Sequence, residues 1–87
     1  VDMASCPVRQ RLARVLLKLL KAGLIQDATH EGIDIAREDL AGMVGTATET
    51  AIRTLSELKE EGIIQMGKAR RIIITDPKKL EGIATFG

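Results

Sequence analysis

The sequence predicts a mostly α fold with a small β component, and three observations carry that prediction. Apolar residues recur at helical spacing over residues 8–20, 40–44 and 51–58. Glycines at 23, 45 and 62 fall where each of these patterns stops. Two short runs rich in β-branched residues, 63–66 and 71–75, follow the last of them, separated by Gly67-Lys68-Ala69-Arg70.

The first helix is expected to begin near Pro7, because proline suits the first helical position, with Ser5 or Cys6 just before it. Val8, Leu12, Val15, Leu16, Leu19 and Leu20 form its apolar stripe and Gly23 its stop. Residues 24–28 and 33–36 read as a short hairpin, with the turn chemistry of Thr29-His30-Glu31-Gly32 between them. His30, the single histidine, reads as an exposed loop residue. The second helix covers about Arg37 to Val44, with Leu40, Ala41 and Val44 inward; Ala36 offers no side-chain oxygen to cap it. Gly45 supplies a left-handed turn. The third helix, residues 47–61, is expected to open on a capping box in which Thr46 and Glu49 satisfy each other's free backbone donors. Ala51, Leu55 and Leu58 anchor it, and Gly62 closes it. The two strands then form a ribbon. Asp76-Pro77 is a cap followed by a first-position proline, so a last short helix begins there and includes Leu80 and Ile83. The architecture is a winged helix-turn-helix: a three-helix core, a short N-terminal hairpin and a C-terminal β-wing.

Eighty-seven residues make one domain with a modest core. Residues 1–6 read as a disordered or extraneous lead and residues 7–87 as the domain. The hydrophobic content of 45% is that of a globular chain. No apolar run is long enough to span a bilayer and no signal peptide is apparent, which favours a cytoplasmic protein. Cys6 is the only cysteine, so neither an internal disulfide nor a cysteine-based zinc site is expected. The net charge of +1 hides a segregation. Residues 8–23 carry Arg9, Arg11, Arg14, Lys18 and Lys21 without an acid, and residues 63–79 carry Lys68, Arg70, Arg71, Lys78 and Lys79 against Asp76. Residues 37–62 are net acidic. Such clustering sets a local potential that attracts phosphates, and it equally describes solvated helix faces.

A helix that enters a major groove needs one buried face and one face of groove-reading side chains. In the third helix, Thr48, Glu49, Ile52, Arg53 and Ser56 fall on the outer side, and Thr48, Glu49, Ile52 and Arg53 are the candidate base readers. Arginine can donate two parallel hydrogen bonds to guanine, and glutamate can accept from cytosine N4. Ile52 is suited to a thymine methyl group or is simply exposed. Glu then Arg at a spacing of four is also a common surface ion pair, and the capping box is a further use for Glu49. Candidate phosphate contacts are Thr46 and Thr50 with the amides that start the third helix, Arg37 at the start of the second, and Lys68 and Arg70 on the wing.

The stretch IAREDLAGMVGTATETAIRTLSELKEEGII, followed by GK and a strand, resembles the C-terminal winged-helix domain of the Crp/Fnr transcription regulators. The likeness rests on LA-x-x-V-G, then E-T, Arg53 and Leu55, and the E-G-I-I exit into the wing, and it spans about residues 7–80. It implies that Glu49 and Arg53 contact bases of a two-fold symmetric site, and that Arg37, Thr50 and Lys68 contact the backbone. Four positions depart from the pattern. Thr48 stands where cyclic-AMP-receptor-like members have arginine, so a more Fnr-like site is implied. Ala36 replaces a Thr or Ser cap, Ile52 a small or polar residue, and Thr54 an aliphatic one. The family's N-terminal sensor and long dimerising helix are not expected among these residues, which read as the DNA-binding half of a larger regulator.

The expected partner is therefore double-stranded DNA. The full protein would bind as a homodimer and the isolated domain would be a monomer, with no membrane, metal or cofactor. The alternative is a winged helix used for protein contact, for example with RNA polymerase, to which the acidic balance of residues 37–62 gives weight. An enzyme is not expected, because His30 and Cys6 lie in separate segments with no third orienting group and no phosphate loop.

Overall fold

The computed structural model describes residues 7–22, 35–67 and 71–86. The lead before Pro7, the hairpin at 24–34 with His30, the stop at Gly23, and the wing tip carrying Lys68 and Arg70 lie outside the described residues. The elements run α1 (Val8–Lys21), α2 (Arg37–Val44), α3 (Thr48–Glu60), β1 (Ile64–Met66), β2 (Ile72–Ile74) and α4 (Pro77–Phe86).

α1 buries Leu12, Ala13, Leu16 and Leu19, a stripe at helical spacing, and places Lys18 and Lys21 in its last turn, where cations favour the negative end of the helix dipole. Pro7 sits one position earlier than its sequence suggests. Its ψ of 154° keeps it outside the helix, while its carbonyl accepts the Arg11 amide at 3.0 Å. α2 starts without a side-chain cap, as Ala36 implied, and Glu38 and Asp39 in its first turn offset that loss electrostatically. Ile35 and Ala36 lead into α2 without forming a strand, so the expected strand over 33–36 does not extend to them.

Gly45 ends α2 in the left-handed conformation, φ 85° and ψ 39°. The amides of Gly45 and Thr46 both donate to the Ala41 carbonyl, at 2.8 and 3.0 Å. This turn overturns the expected capping box. Thr46 is drawn into the closure of α2, so Ala47 becomes the residue preceding α3, and no side chain caps that helix. Glu49 is thereby released from a capping role.

α3 buries Ala51, Thr54, Leu55 and Leu58. Thr54, the polar member, donates its hydroxyl to the Thr50 carbonyl at 2.8 Å, which satisfies it inside the helix. Gly62, at φ 79°, terminates α3. There the Ile63 amide reaches back to the Leu58 carbonyl and the Gly62 amide to that of Lys59, each at 3.0 Å. β1 and β2 pair antiparallel with Gln65 opposite Ile73, and the Gly67 amide donates to the Arg71 carbonyl at 2.7 Å just beyond the ladder. Asp76 Oδ1 accepts the Lys79 amide at 3.1 Å and Pro77 opens α4, as the sequence predicts.

The three-helix core is present, and α4 joins it. Leu12, Leu16, Leu40, Leu55, Leu58, Ile63, Ile64, Ile72 and Leu80 are all fully buried, so every described element contributes to one cluster. α4 packs on α1, whose side chains also satisfy its last turn. Arg14 Nε donates to the Ala84 carbonyl at 2.9 Å, and Gln10 Nε2 donates to the same oxygen at 3.2 Å.

Candidate nucleic-acid interface

The core fixes which side of α3 faces outward. With Ala51, Thr54, Leu55 and Leu58 buried, Glu49, Ile52, Arg53 and Ser56 are exposed, and Thr48 and Thr50 are half-buried at the start of the helix. α2 packs against α3, and the small residues Ala41 and Ala51 are both buried. The four candidate base readers therefore share one side of one helix, three of them open to solvent. Ser56 extends that side by one further turn; it was legible from the spacing as an outward residue, with no motif to mark it as a reader.

Both ordinary structural uses of Glu49 and Arg53 are absent. Glu49 does not cap α3, and neither side chain forms an ion pair or hydrogen bond with any described residue. A carboxylate acceptor and a guanidinium donor thus stand side by side at a spacing of four, with their bonding capacity open. The first amides of α3 likewise receive no side-chain cap, so the positive end of its dipole is available to an anion.

The candidate phosphate contacts fare differently. Arg37 is half-buried at the start of α2, where Nη1 donates to the Ile35 carbonyl and Nη2 approaches Met66 Sδ, each at 3.4 Å. It connects α2 to the first strand of the wing. Thr46 is half-buried with its amide used in the turn, and Thr50 has its carbonyl engaged by Thr54. Lys68 and Arg70 lie outside the described residues.

Sequence reasoning missed what holds the far end of α3. Arg9, in the first turn of α1, donates from Nη1 and Nη2 to both oxygens of Glu61, each at 2.6 Å. The bond to Arg9 lowers the Glu61 carboxyl below its ordinary pKa, and the same bond raises that of Arg9. These residues are 52 positions apart, and nothing in the local pattern of either pairs them.

A left-handed glycine turn between two packed helices, an outward polar face on the second, and a two-stranded ribbon after it define a winged helix-turn-helix domain. Residues 10–83 match the Crp-like helix-turn-helix domain family. The chain is 38% identical over 79 residues to the cyclic AMP receptor protein of Thermus thermophilus, covering 91% of this chain and 33% of that protein. It is 31% identical over 75 residues to the nitrogen fixation regulation protein FixK of Azorhizobium caulinodans, covering 83% of this chain and 30% of that one. The crystal structure of a transcriptional regulator of the CRP/FNR family from Thermus thermophilus superposes with a TM-score of 0.84 at 28% identity, over 95% of this chain and 43% of that chain. The chain belongs to the Crp-like helix-turn-helix family, the DNA-binding part of Crp/Fnr-type transcription regulators. It spans about one third of the length of these curated relatives.

Proposed function

We propose that this domain reads double-stranded DNA with α3 in the major groove, as the output of a cytoplasmic regulator that binds as a homodimer. The observation that carries the reading is that Glu49 and Arg53 form no bond with a described residue and stand on the side of α3 opposite its buried face. Thr48, Glu49, Ile52 and Arg53 meet base edges, and Thr48 in place of a longer donor keeps the set of base contacts small. Thr46, Thr50 and the uncapped amides of α3 meet a phosphate, with Arg37, Lys68 and Arg70 supplying further phosphate contacts from α2 and the wing. Two half-sites about one helical turn apart accommodate the dimer, and the isolated chain binds one half-site weakly as a monomer. The role is one of binding, without catalysis.

The test is selection of duplexes from random-sequence DNA by the chain, followed by titration over a salt series. Enrichment of a common half-site and a log–log salt dependence with a clear negative slope support the proposal. A second reading is favoured by α2, where Met43 is half exposed near the acidic Glu38 and Asp39: a protein-contact face, for example toward RNA polymerase. Binding that ignores both DNA sequence and salt would select that reading instead.

A further inference from the structure

Ile52 is the residue of α3 whose exposure has no structural explanation. It is 45% exposed, one of three large apolar side chains left open among the described residues; the others, Met43 and Phe86, lie on α2 and α4. The core of α3 is already supplied by Ala51, Leu55 and Leu58, and the other exposed positions of the helix are polar or charged. A β-branched residue there leaves nearly half of its surface open and has a lower helix propensity than lysine or glutamine. It does have a fixed shape, because two carbons on Cβ leave one strongly preferred χ1 rotamer in a helix.

We infer that Ile52 is a specificity-determining residue that recognises the C5-methyl group of a thymine, one helical turn along from Glu49 on the reading face. The inference rests on α3 being the groove-reading helix. Isoleucine has no polar atom, so its favourable contact with a base edge is apolar. The major-groove edge offers one apolar substituent, the thymine methyl. Glu49 and Arg53, at three positions before and one after, address polar groups of the neighbouring pairs. The face therefore combines an acceptor, an apolar probe and a double donor, and the half-site contains a thymine that is recognised by its methyl group.

The test uses the 87-residue chain and the duplex it enriches from random-sequence DNA. Each thymine in turn is replaced by deoxyuridine, which removes the methyl and keeps the O4 acceptor and the pairing. At one thymine per half-site this should weaken binding about fourfold, the effect of one buried methyl-sized group. The Ile52→Ala variant, whose fold is checked by circular dichroism, should bind the two duplexes equally, whereas Ile52→Val should keep part of the discrimination. Replacing the same base pair by C·G should weaken binding, and 5-methylcytosine there should restore part of the loss in the wild type alone. A uracil scan that affects wild type and Ile52→Ala alike, or affects neither while Arg53→Ala still relaxes the preference at one base pair, overturns the methyl contact and leaves groove reading standing. Absence of any enriched sequence overturns both.

Discussion

Arg53 carries the most specific expectation at the scale of single residues. Its guanidinium is exposed and forms no bond with a described residue, so truncation leaves no buried group unsatisfied. Arg53→Ala should therefore leave the melting temperature nearly unchanged while weakening binding to the enriched half-site by about 1–3 kcal/mol, with relaxed preference at one base pair. A loss of equal size on every sequence would place Arg53 on a phosphate instead. Thr54 shows how far a residue can be read from sequence. Its position at helical spacing from Ala51 and Leu58 puts it inward, and the structure buries it, yet its hydroxyl is satisfied by a backbone oxygen one turn away. Arg37 shows the reverse. Its charge suggested a groove-side role, and its guanidinium also reaches a local carbonyl and the sulfur of Met66, 29 positions further on. Local bonds of a helix follow from spacing; a partner on another element does not.

The elements differ in how plainly their ends are written. Asp76-Pro77 opens α4 as expected, because a carboxylate cap and a proline ring act within one turn and need no outside help. The start of α3 departs from its sequence pattern, because the turn at Gly45 consumes the Thr46 amide and moves the helix start by one residue. α2 makes these rules measurable through two glycines three apart. Gly42 lies within the helix on its exposed side, and a Cβ added there meets nothing within 4 Å. Gly42→Ala should stabilise the domain by about 0.5–1 kcal/mol through the entropy lost on folding by glycine. Gly45 has equally open surroundings but a φ of 85°. Gly45→Ala should destabilise by about 1–2 kcal/mol through backbone strain alone. Chemical denaturation of both variants checks the opposite signs. The Arg9–Glu61 pair gives an element-level pH dependence. Because Glu61 titrates below its ordinary value of 4.5, its contribution is present above that value and is lost as pH falls through the lowered one. Wild type should melt above Glu61→Gln near neutral pH, and the two should converge in acid and at high salt, since the pair is largely exposed.

At the scale of the whole molecule, the recognition face is held by contacts that lie far from it. The buried stripe of α3 rests on leucines of α1 and α2, and α1 is in turn covered by α4, whose Leu80, Ile83 and Ala84 complete the same cluster. The apolar pattern of each helix was legible because a buried stripe has a period. The return of α4 onto α1 was not, because no sequence period states which stripe meets which. That arrangement separates stability from readout. Leu80 is fully buried, and none of the reading residues lies on its helix. Leu80→Ala should remove about 2–5 kcal/mol of stability, the usual consequence of truncating a core leucine. A domain of this size has only about 5–15 kcal/mol in total, so the urea midpoint should fall steeply. The molecules that remain folded keep α3 on the same buried anchors, so the order of preference among DNA sequences should be unchanged once binding is corrected for the folded fraction. A changed preference would mean that α4 sets the orientation of α3 as well as the stability of the core that carries it.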